Sequence, residues 1–282
     1  MEIIMDFNKS IFENRSKRAA PMLAAHRGVC GANVPCNTLL AYKIAVDQGA
    51  DIVEIDVAKS ADGKFYVFHP GMEYAYLKTG KLVSEMDSAE VLSTPILNCD
   101  EAKTHYRIPT LREVLALLKD KAYINVDKYW TDVRGITEEI RAAGVEKQVI
   151  VKTSPDEKLY DEIEKYAPDF MYMTMAWHKD EVTPVMKKRN INYVGIEALF
   201  DKADDEIASE KYIADMHRQG LLVWGNAIIY DETAVISGGM TDDISLEKGG
   251  DYGWGKLRDR GFDIIQTDWL LPARLYLDKR NA

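Results

Sequence analysis

Two hydrophobic periods alternate along this chain. Short runs rich in aliphatic and aromatic residues have the composition of β-strands, and most of the stretches between them carry apolar residues at helical spacing. This alternation is typical of βα units, in which a helix connects one parallel strand to the next. Nine runs are predicted as strands: residues 22–27, 52–57, 65–69, 123–127, 149–152, 170–175, 193–198, 221–226 and 262–267.

Two of the intervening stretches show most clearly why helices are expected. Residues 38–48 carry apolar side chains at helical spacing. Residues 110–118 follow a proline and begin with Thr110, and Glu113 stands three residues later. This spacing is a capping box, in which the two side chains satisfy backbone N–H groups at a helix N-terminus.

One connection between predicted strands is too short to contain a helix. Parallel neighbours need a crossover of about a dozen residues or more, whereas only residues 58–64 separate the second and third runs. They contain Asp62 and Gly63, which are a strong turn signal. We therefore predict an antiparallel hairpin. A turn centred between Asp62 and Gly63 places Asp56 opposite His69 on one face.

The other eight runs match an irregular TIM-like (β/α)8 barrel, and 282 residues suit one domain of this kind. We therefore expect residues 1–282 to form a single barrel domain. The sequence pattern of residues 71–108 differs from that of the βα units. Glycine, proline, tyrosine and lysine are scattered along it, and strand-like and helical stretches do not alternate. They are predicted to form a small insertion, or cap, after the third strand-like run.

The composition narrows the possible functions. Hydrophobic residues make up 46% of the chain and charged residues 29%, which is typical of soluble globular proteins. A net charge of -10 without a basic stretch argues against nucleic acid as a partner. It also repels an anionic substrate, so a local cation such as a bound metal is expected to offset the charge.

The cellular compartment of the protein can also be predicted from its sequence. The first residues contain no apolar signal region, and no stretch approaches the ~20 apolar residues of a membrane span. Cys30, Cys36 and Cys99 cannot all pair and form no C-x-x-C motif, so we expect free thiols in a reducing compartment. A cytoplasmic protein is therefore predicted, and the sequence leaves its oligomeric state open.

A histidine and an arginine end the first predicted strand. His26 and Arg27 are followed by Gly28, and the C-terminal strand ends of an α/β barrel face the active site. A histidine there can transfer protons near neutral pH. The planar guanidinium group of an arginine can donate paired hydrogen bonds to phosphate oxygens. The alternative is an interior histidine beside a surface charge.

Carboxylates occupy positions that should face the barrel interior. Strand alternation puts Glu54 and Asp56 on one face and apolar residues on the other. Two buried carboxylates repel each other unless a cation lies between them, and Mg²⁺ or Ca²⁺ suits oxygen ligands. Asp127, at the end of the fourth run, can supply a third carboxylate. A solvated strand edge is the alternative for the pair.

Two further residues are candidates for the substrate site. Lys152 ends an apolar run, so its side chain either extends to solvent or meets an anion at the barrel mouth. Trp224 lies near the end of the eighth run, where it either walls a substrate pocket or packs in the core.

The ordered motifs His-Arg-Gly, Pro-x-Asn-Thr, Glu-Ile-Asp-Val, Asp-Gly and His resemble the glycerophosphodiester phosphodiesterase family. The stretch 107–115, which reads Arg-Ile-Pro-Thr-Leu-Arg-Glu-Val-Leu, and the closing stretch 261–268 also match. The similarity extends over about residues 22–272 and implies an irregular TIM barrel with a small insertion. It also implies roles for six residues: His26 and His69 as the acid–base pair, Arg27 as a phosphate binder, and Glu54, Asp56 and Asp127 as metal ligands.

Three positions depart from the family pattern. Cys36 stands where Pro-Glu-Asn-Thr has glutamate, and Pro70 follows the third-run histidine where the family has aspartate. The fourth strand usually reads Glu-x-Lys, but here Lys128 follows Asp127 directly, and alternation turns Lys128 outward. We therefore predict that Lys152, on the next strand, replaces it as a phosphate-facing cation.

The expected activity is hydrolysis of a glycerophosphodiester to glycerol 3-phosphate and an alcohol, with one histidine as base and the other as acid. The alternatives are a phospholipase-D-like lyase on the same barrel and a catalytically silent barrel that binds a phosphate ligand. Two histidines with three carboxylates argue against the silent barrel, because a binding protein needs no proton transfer. The sequence leaves open the head group, the metal, which histidine is the base, and whether a cyclic phosphate forms.

Overall fold

The computed structural model describes residues 5–229 and 233–280. Its strands are β1 Met22–Ala25, β2 Ile52–Lys59, β3 Phe65–Val67, β4 Pro95–Leu97, β5 Lys103–Arg107, β6 Tyr123–Asp127, β7 Val149–Thr153, β8 Met171–Trp177, β9 Tyr193–Leu199, β10 Leu222–Asn226 and β11 Ile264–Thr267. Its α-helices are α1 Ile11–Ser16, α2 Leu39–Asp47, α3 Glu73–Leu77, α4 Ser88–Ser93, α5 Leu111–Leu118, α6 Val133–Ala143, α7 Glu157–Tyr166, α8 Thr183–Met186, α9 Glu210–Arg218, α10 Asp242–Lys248, α11 Trp254–Arg260 and α12 Leu270–Arg280. Among the helices of these two ranges, none has the length and apolarity that crossing a membrane requires.

Within the described ranges, eight parallel strands close into a barrel. Their order is β1, β11, β10, β9, β8, β7, β6 and β2, and β2 pairs back with β1. The predicted TIM-like fold is confirmed, and each of the nine predicted runs contains a strand. The surplus strand is β3, which pairs only with β2, outside the closed ring.

Side-chain alternation on the strands separates two apolar layers. In β2, Ile52 packs in the barrel interior, whereas Val53 and Ile55 pack in the layer between the strands and the helices. Successive side chains of a strand point to opposite faces. Glu54 and Asp56 therefore share the face of Ile52 and point into the barrel.

The N-terminal segment closes one end of the barrel. Ile11 of α1 belongs to the interior apolar cluster, and Phe7 meets Tyr123 edge-on with ring centroids 5.1 Å apart. Asn14 donates a hydrogen bond of 2.6 Å to the Tyr123 hydroxyl. Tyr123 begins β6, so this segment covers the N-terminal strand ends and leaves the C-terminal ends open.

The predicted hairpin is present, but its register differs by one position. β2 and β3 pair antiparallel with Val57 opposite Val67, which centres the turn on Asp62. The prediction that Asp56 lies directly opposite His69 is therefore wrong by one residue. The cause is the turn itself, in which an odd number of residues joins the paired Lys59 and Phe65 and Gly63 adopts the left-handed conformation.

Between β3 and α5 the chain forms the predicted insertion. It contains α3, α4 and the antiparallel hairpin of β4 and β5. Leu77, Val91 and Ile96 of this cap form an apolar cluster of their own, which also includes Tyr66 of β3. Because the cluster continues into β3, the cap is fixed to the hairpin that leads to His69.

At Gly195 in β9, the neighbouring strand β10 lies too close for a side chain. A Cβ at this position would overlap the backbone carbonyl of Leu222 in β10. We expect Gly195→Ala to lower the free energy of unfolding by about 1–3 kcal/mol, as other overpacking substitutions do. Urea unfolding measures the change. Gly80→Ala, which adds a methyl group in open space, is the control, and equal stability of the two variants would contradict the close approach.

Candidate active site

Three carboxylates meet at the C-terminal ends of β2 and β6. Glu54, Asp56 and Asp127 each place an oxygen within 4.8 Å of the others, because the parallel register aligns Asp56 with Asp127. Glu54 and Asp56 are each only 1% exposed. Burial and the neighbouring charge of Asp56 raise the pKa of Glu54 to about 8. A buried cluster of mutually repelling oxygen ligands suits a divalent cation.

The loop after β1 holds these carboxylates from one side. The Arg27 N–H donates to Glu54 at 2.8 Å, the Arg27 Nε lies 3.0 Å from Asp56 Oδ2, and the Asn37 amide donates to the same oxygen at 2.9 Å. Arg27 is buried, so it is not the surface charge of the alternative interpretation. Among the described residues, Asp56 Oδ1 has no hydrogen-bond partner, and a bound cation would satisfy this oxygen.

His26 is paired with an aspartate that the sequence analysis did not single out. Its Nδ1 lies 2.8 Å from Asp268 Oδ1. Burial opposes protonation, but the hydrogen bond and the charge of Asp268 raise the pKa of His26 above its usual value. Asp268 directly follows β11 at the catalytic end of the barrel. An acidic residue at that place is the signal that could have identified it.

A buried network holds Asp268 in place. Its backbone N–H donates to Asp242 Oδ2 at 2.8 Å. The other Asp242 oxygen accepts from the Trp254 indole and from the Thr267 hydroxyl, each at 2.6 Å. Burial raises the pKa of Asp242 to about 6. The network therefore fixes the backbone at Asp268, and Asp268 in turn orients the ring of His26.

His69 reaches the carboxylates from the hairpin. It lies two residues beyond β3, and its Nε2 is 4.0 Å from Asp56 Oδ1. The predicted convergence of the two side chains is therefore present despite the shifted register. Burial lowers the pKa of His69, and the charge of Asp56 only partly opposes this effect. The structure thus brings both predicted histidines to the edge of the carboxylate cluster.

The prediction that Lys128 points outward is wrong. β6 ends at Asp127 and Lys128 adopts a left-handed conformation with φ of 59°, so strand alternation no longer sets its direction. Its Nζ lies 3.0 Å from Asp127 Oδ2 and 3.9 Å from Asp56 Oδ1. It also lies 5.1 Å from the ring centroid of Trp130. A lysine directly after β6 therefore lies at the site, so the premise that Lys128 is absent from it is wrong.

Lys152 faces the site from β7 instead of extending to solvent. It is 4% exposed, and its Nζ lies 3.0 Å from Glu197 Oε2. Burial opposes its charge, but the carboxylates of Glu197 and Asp127 raise the pKa of Lys152. Glu197 was missed in the sequence, although alternation within β9 puts this acidic residue on an inward face. Asn226 donates to its other oxygen at 2.9 Å.

Trp224 lies beneath the site. Its side chain has no exposed surface and belongs to the interior cluster of the barrel. The Lys152 Nζ lies 5.3 Å from the centroid of its ring, so the indole supports the lysine from below. Of the two interpretations of Trp224, this geometry favours packing over a pocket wall.

A cavity of about 320 Å³ opens beside these residues. Its polar and charged lining residues are His26, Arg27, Glu54, Asp127, Lys128, Lys152, Glu197, Asn226 and Gln266. Its apolar lining residues are Trp130, Met175, Trp177, Leu199, Ile228, Ala234 and Ile236. The cavity thus combines cations, carboxylates and a histidine with apolar side chains.

Residues 26–226 match the family described as the glycerophosphoryl diester phosphodiesterase family. This match covers more than half of the chain and includes His26, His69, Glu54, Asp56 and Asp127. The chain belongs to this family. The family membership that the motifs predict is thereby confirmed.

Sequence relatives agree with this assignment, and solved structures share the fold. The chain is 31% identical, over 155 residues, to a glycerophosphodiester phosphodiesterase of Caldanaerobacter subterraneus, and the alignment covers 52% of this chain and 63% of that protein. A glycerophosphoryl diester phosphodiesterase from Parabacteroides distasonis has the same fold, with a TM-score of 0.78 at 18% identity over 96% of this chain and 93% of that one. An Oleispira antarctica phosphodiesterase, solved with its product sn-glycerol-3-phosphate, has a TM-score of 0.62 at 20% identity over 92% and 97% of the two chains.

Proposed function

We propose that this protein is a metal-dependent phosphodiesterase that hydrolyses glycerophosphodiesters to glycerol 3-phosphate and an alcohol. The observation that carries the proposal is the meeting of Glu54, Asp56 and Asp127 beside His26 and His69 at the open end of the barrel. Membership of the family supports the reaction class. The Oleispira antarctica phosphodiesterase, which binds sn-glycerol-3-phosphate as its product, supports the glycerol half of the substrate.

The metal site is assigned to the three carboxylates. Glu54, Asp56 and Asp127 would hold Mg²⁺ or Ca²⁺, because all their donors are hard oxygens. A bound divalent cation supplies charge neutralisation and polarisation of a phosphoryl oxygen. Asp56 Oδ1 has no hydrogen-bond partner among the described residues, and a cation at this place would offset the mutual repulsion of the three carboxylates.

The chain's own cations surround the place for the phosphate. Arg27 and Lys128 lie beside the carboxylates, and Lys152 lies on the cavity floor. Cations held in a buried site stabilise charge that grows on phosphoryl oxygens more strongly than solvent does. They also offset the net charge of -10, which would otherwise repel an anionic substrate.

Proton transfer is assigned to the two histidines. His26 uses Nδ1 for its bond to Asp268, which leaves Nε2 for the substrate. His69 presents its Nε2 toward Asp56 from the hairpin. One imidazole accepts the proton of the attacking hydroxyl or water, and the other protonates the departing alkoxide.

The floor of the cavity is suited to a polyol. Asn226 Oδ1 and Gln266 Oε1 are buried acceptors without a hydrogen-bond partner in the part of the chain that the structure describes. Buried acceptors of this kind are costly unless a donor reaches them. Glycerol hydroxyl groups are such donors, so we assign the glycerol of the substrate to this floor.

We also propose that the barrel and the cap act as one domain. Ala58 and Tyr66 of the β2–β3 hairpin share an apolar cluster with Leu77 and Val91 of the cap. A cap that unfolded alone would expose that cluster. A single cooperative unfolding transition, followed by both fluorescence and circular dichroism, is the expected result.

The activity is tested by incubating the purified protein with glycerophosphocholine, with added Mg²⁺ or Ca²⁺ and with EDTA. We expect glycerol 3-phosphate and choline to form only when the cation is present. Phosphorus NMR distinguishes the lyase alternative, which would leave a cyclic phosphate as the final product. Absence of turnover with both cations would support the silent phosphate-binding barrel and contradict the proposal.

Asp268 is proposed as a positioning residue for His26. We expect Asp268→Asn to lower kcat by roughly 10–100-fold, a loss of the size found for the partners of metal-ligating histidines, with little change in KM. Asp259→Asn, at an exposed aspartate on the surface, is the matched control. Parent-like kcat in Asp268→Asn would show that the pair at 2.8 Å has no catalytic role.

A further inference from the structure

Tyr42 places a hydroxyl group inside the apolar layer between the strands and the helices. This residue lies on α2, has no exposed surface and belongs to the apolar cluster of that layer. A phenylalanine would pack there equally well, so the apolar surroundings do not explain the hydroxyl. The hydroxyl instead donates a hydrogen bond of 2.6 Å to Oδ1 of Asn37, which is itself 2% exposed. The role of this hydroxyl therefore depends on what Asn37 contacts.

Asn37 connects the Tyr42 hydroxyl to a proposed cation ligand. Its amide Nδ2 donates to Asp56 Oδ2 at 2.9 Å, and the Arg27 Nε lies 3.0 Å from the same oxygen. Among the described residues, the other carboxylate oxygen, Oδ1, has no hydrogen-bond partner. The chain therefore holds Asp56 by Oδ2, and Oδ1 is the oxygen that remains for a cation.

The Tyr42 hydroxyl determines which end of the Asn37 amide faces Asp56. An amide has a donor end and an acceptor end. If the amide were reversed, its Oδ1 would point at Asp56 Oδ2, and two oxygens without a proton between them repel each other. The buried Oδ1 is also costly without a donor, and Tyr42 supplies that donor. Burial and the charges of Glu54 and Asp56 raise the pKa of Tyr42 well above its usual value, so the hydroxyl keeps its proton.

The backbone holds both Asn37 and Tyr42 in place. Asn37 adopts a left-handed conformation with φ of 56°, and its N–H donates to the Arg27 carbonyl at 3.0 Å. Thr38 is the N-cap of α2, and the Tyr42 N–H donates to the Thr38 carbonyl at 3.1 Å. Asn37 and Tyr42 therefore lie on the two sides of one helix N-terminus, which sets the distance between their side chains.

We infer that Tyr42 is a positioning residue for the proposed cation ligand Asp56. Its hydroxyl holds the Asn37 amide with Nδ2 toward Asp56, so that the chain occupies Oδ2 and Oδ1 remains for the cation. The inference rests on the proposed function, since it concerns the metal site assigned there. Outer contacts of this kind orient the ligands of protein metal sites and strengthen cation binding.

Tyr42→Phe tests the inference, because it removes one oxygen atom and keeps the ring. The affinity for Mn²⁺ is measured by calorimetric titration of the purified protein without substrate. We expect this affinity to fall by roughly tenfold, the lower end of the ~10–100-fold range for outer partners of metal ligands, because Tyr42 acts through Asn37. Parent-like affinity would overturn the inference.

Tyr172→Phe is the matched control. Tyr172 is also fully buried in the layer between the strands and the helices, and its hydroxyl lies 2.7 Å from that of Thr153, outside the carboxylate cluster. Each variant loses one buried hydrogen bond, so both should lose similar stability toward urea. Only Tyr42→Phe should also lose affinity for Mn²⁺. An equal loss of affinity in both variants would indicate general destabilisation and contradict the inference.

A second variant tests whether Tyr42 acts through Asn37. Asn37→Gly removes the amide, and glycine accepts the left-handed φ of 56° without steric cost. This variant alone should bind Mn²⁺ roughly 10–100-fold more weakly, and parent-like binding would overturn the inference even if Tyr42→Phe failed to fold. Adding Tyr42→Phe to Asn37→Gly should change the affinity by less than about twofold, because effects on one shared contact do not add. Two losses that add in full would show that Tyr42 acts by another route.

Activity gives a readout that a merely structural role would not change in the same way. Weakened binding is overcome by more cation, so Tyr42→Phe should need about tenfold more Mg²⁺ or Ca²⁺ for half-maximal hydrolysis of glycerophosphocholine. Its kcat at saturating cation should equal that of the parent. A lower kcat with an unchanged cation requirement would contradict the inference.

The inference and the proposed function fail in different ways. If the parent protein binds no Mn²⁺, the metal site of the proposed function is wrong and the inference fails with it. If the parent binds Mn²⁺ and hydrolyses glycerophosphocholine, and Tyr42→Phe binds Mn²⁺ equally well, only the inference fails.

Discussion

Glu54→Gln is expected to lower kcat/KM for glycerophosphocholine by roughly 10³-fold or more, beyond the ~10–100-fold loss typical of residues that only support a metal ligand. The substitution removes a carboxyl group that would carry a negative charge when a cation is bound in the three-carboxylate cluster. It keeps a carbonyl oxygen that can accept the Arg27 N–H, now bonded at 2.8 Å. Cation binding should therefore weaken while the local fold remains.

Calorimetric titration with Mn²⁺ measures that weakening independently of activity. The thermal unfolding temperature of the metal-free variant should stay close to that of the parent, because the pKa of Glu54 is already raised to about 8. Asp205→Asn is the matched control, since Asp205 belongs to a more exposed group with His178 and Asp201. Full activity after exhaustive chelation, or normal turnover of Glu54→Gln combined with Asp56→Asn, would show that the metal assignment is wrong.

Lys152→Met is expected to reduce turnover at saturating substrate by roughly 10²–10³-fold, as loss of a comparable electrostatic donor does. Lys152 lines the cavity and carries its charge at a site that is 4% exposed. Its loss also leaves Glu197, at 3.0 Å, without its cation. The single variant therefore mixes two effects, because an unpaired buried charge is itself destabilising.

The double variant Lys152→Met with Glu197→Gln separates these effects. It removes both charges of the pair, so neither residue is left as a buried charge without its partner. If Lys152 stabilises charge on the phosphate, the double variant stays at the low turnover of the single one. A rate within a few-fold of the parent would mean that the two residues form only a structural pair.

Local periodicity predicts much of this site. Alternation within residues 52–57 directs Glu54 and Asp56 inward because successive strand residues point to opposite faces, and the structure has both side chains buried. The short connection with Asp62 and Gly63 predicts the hairpin that brings His69 to Asp56. Both inferences use neighbouring residues, and local geometry constrains such residues most strongly.

The errors occur where a regular element ends. Alternation turns Lys128 outward, but β6 stops at Asp127 and a left-handed residue redirects the chain. The same kind of error displaced the hairpin register by one residue, because the length of the turn does not follow from its sequence signal alone. Periodicity describes the inside of an element and carries little information about its last residue.

The sequence by itself predicted the barrel class, the family, and six residues that the structure brings together, because strand periodicity and short motifs are properties of neighbouring residues; these are His26, Arg27, Glu54, Asp56, His69 and Asp127. Only the tertiary structure decided their partners. Asp268 meets His26 across 242 positions of sequence, and Glu197 meets Lys152 from another strand. These contacts depend on the closed barrel, in which β1 pairs with β11 although most of the chain lies between them.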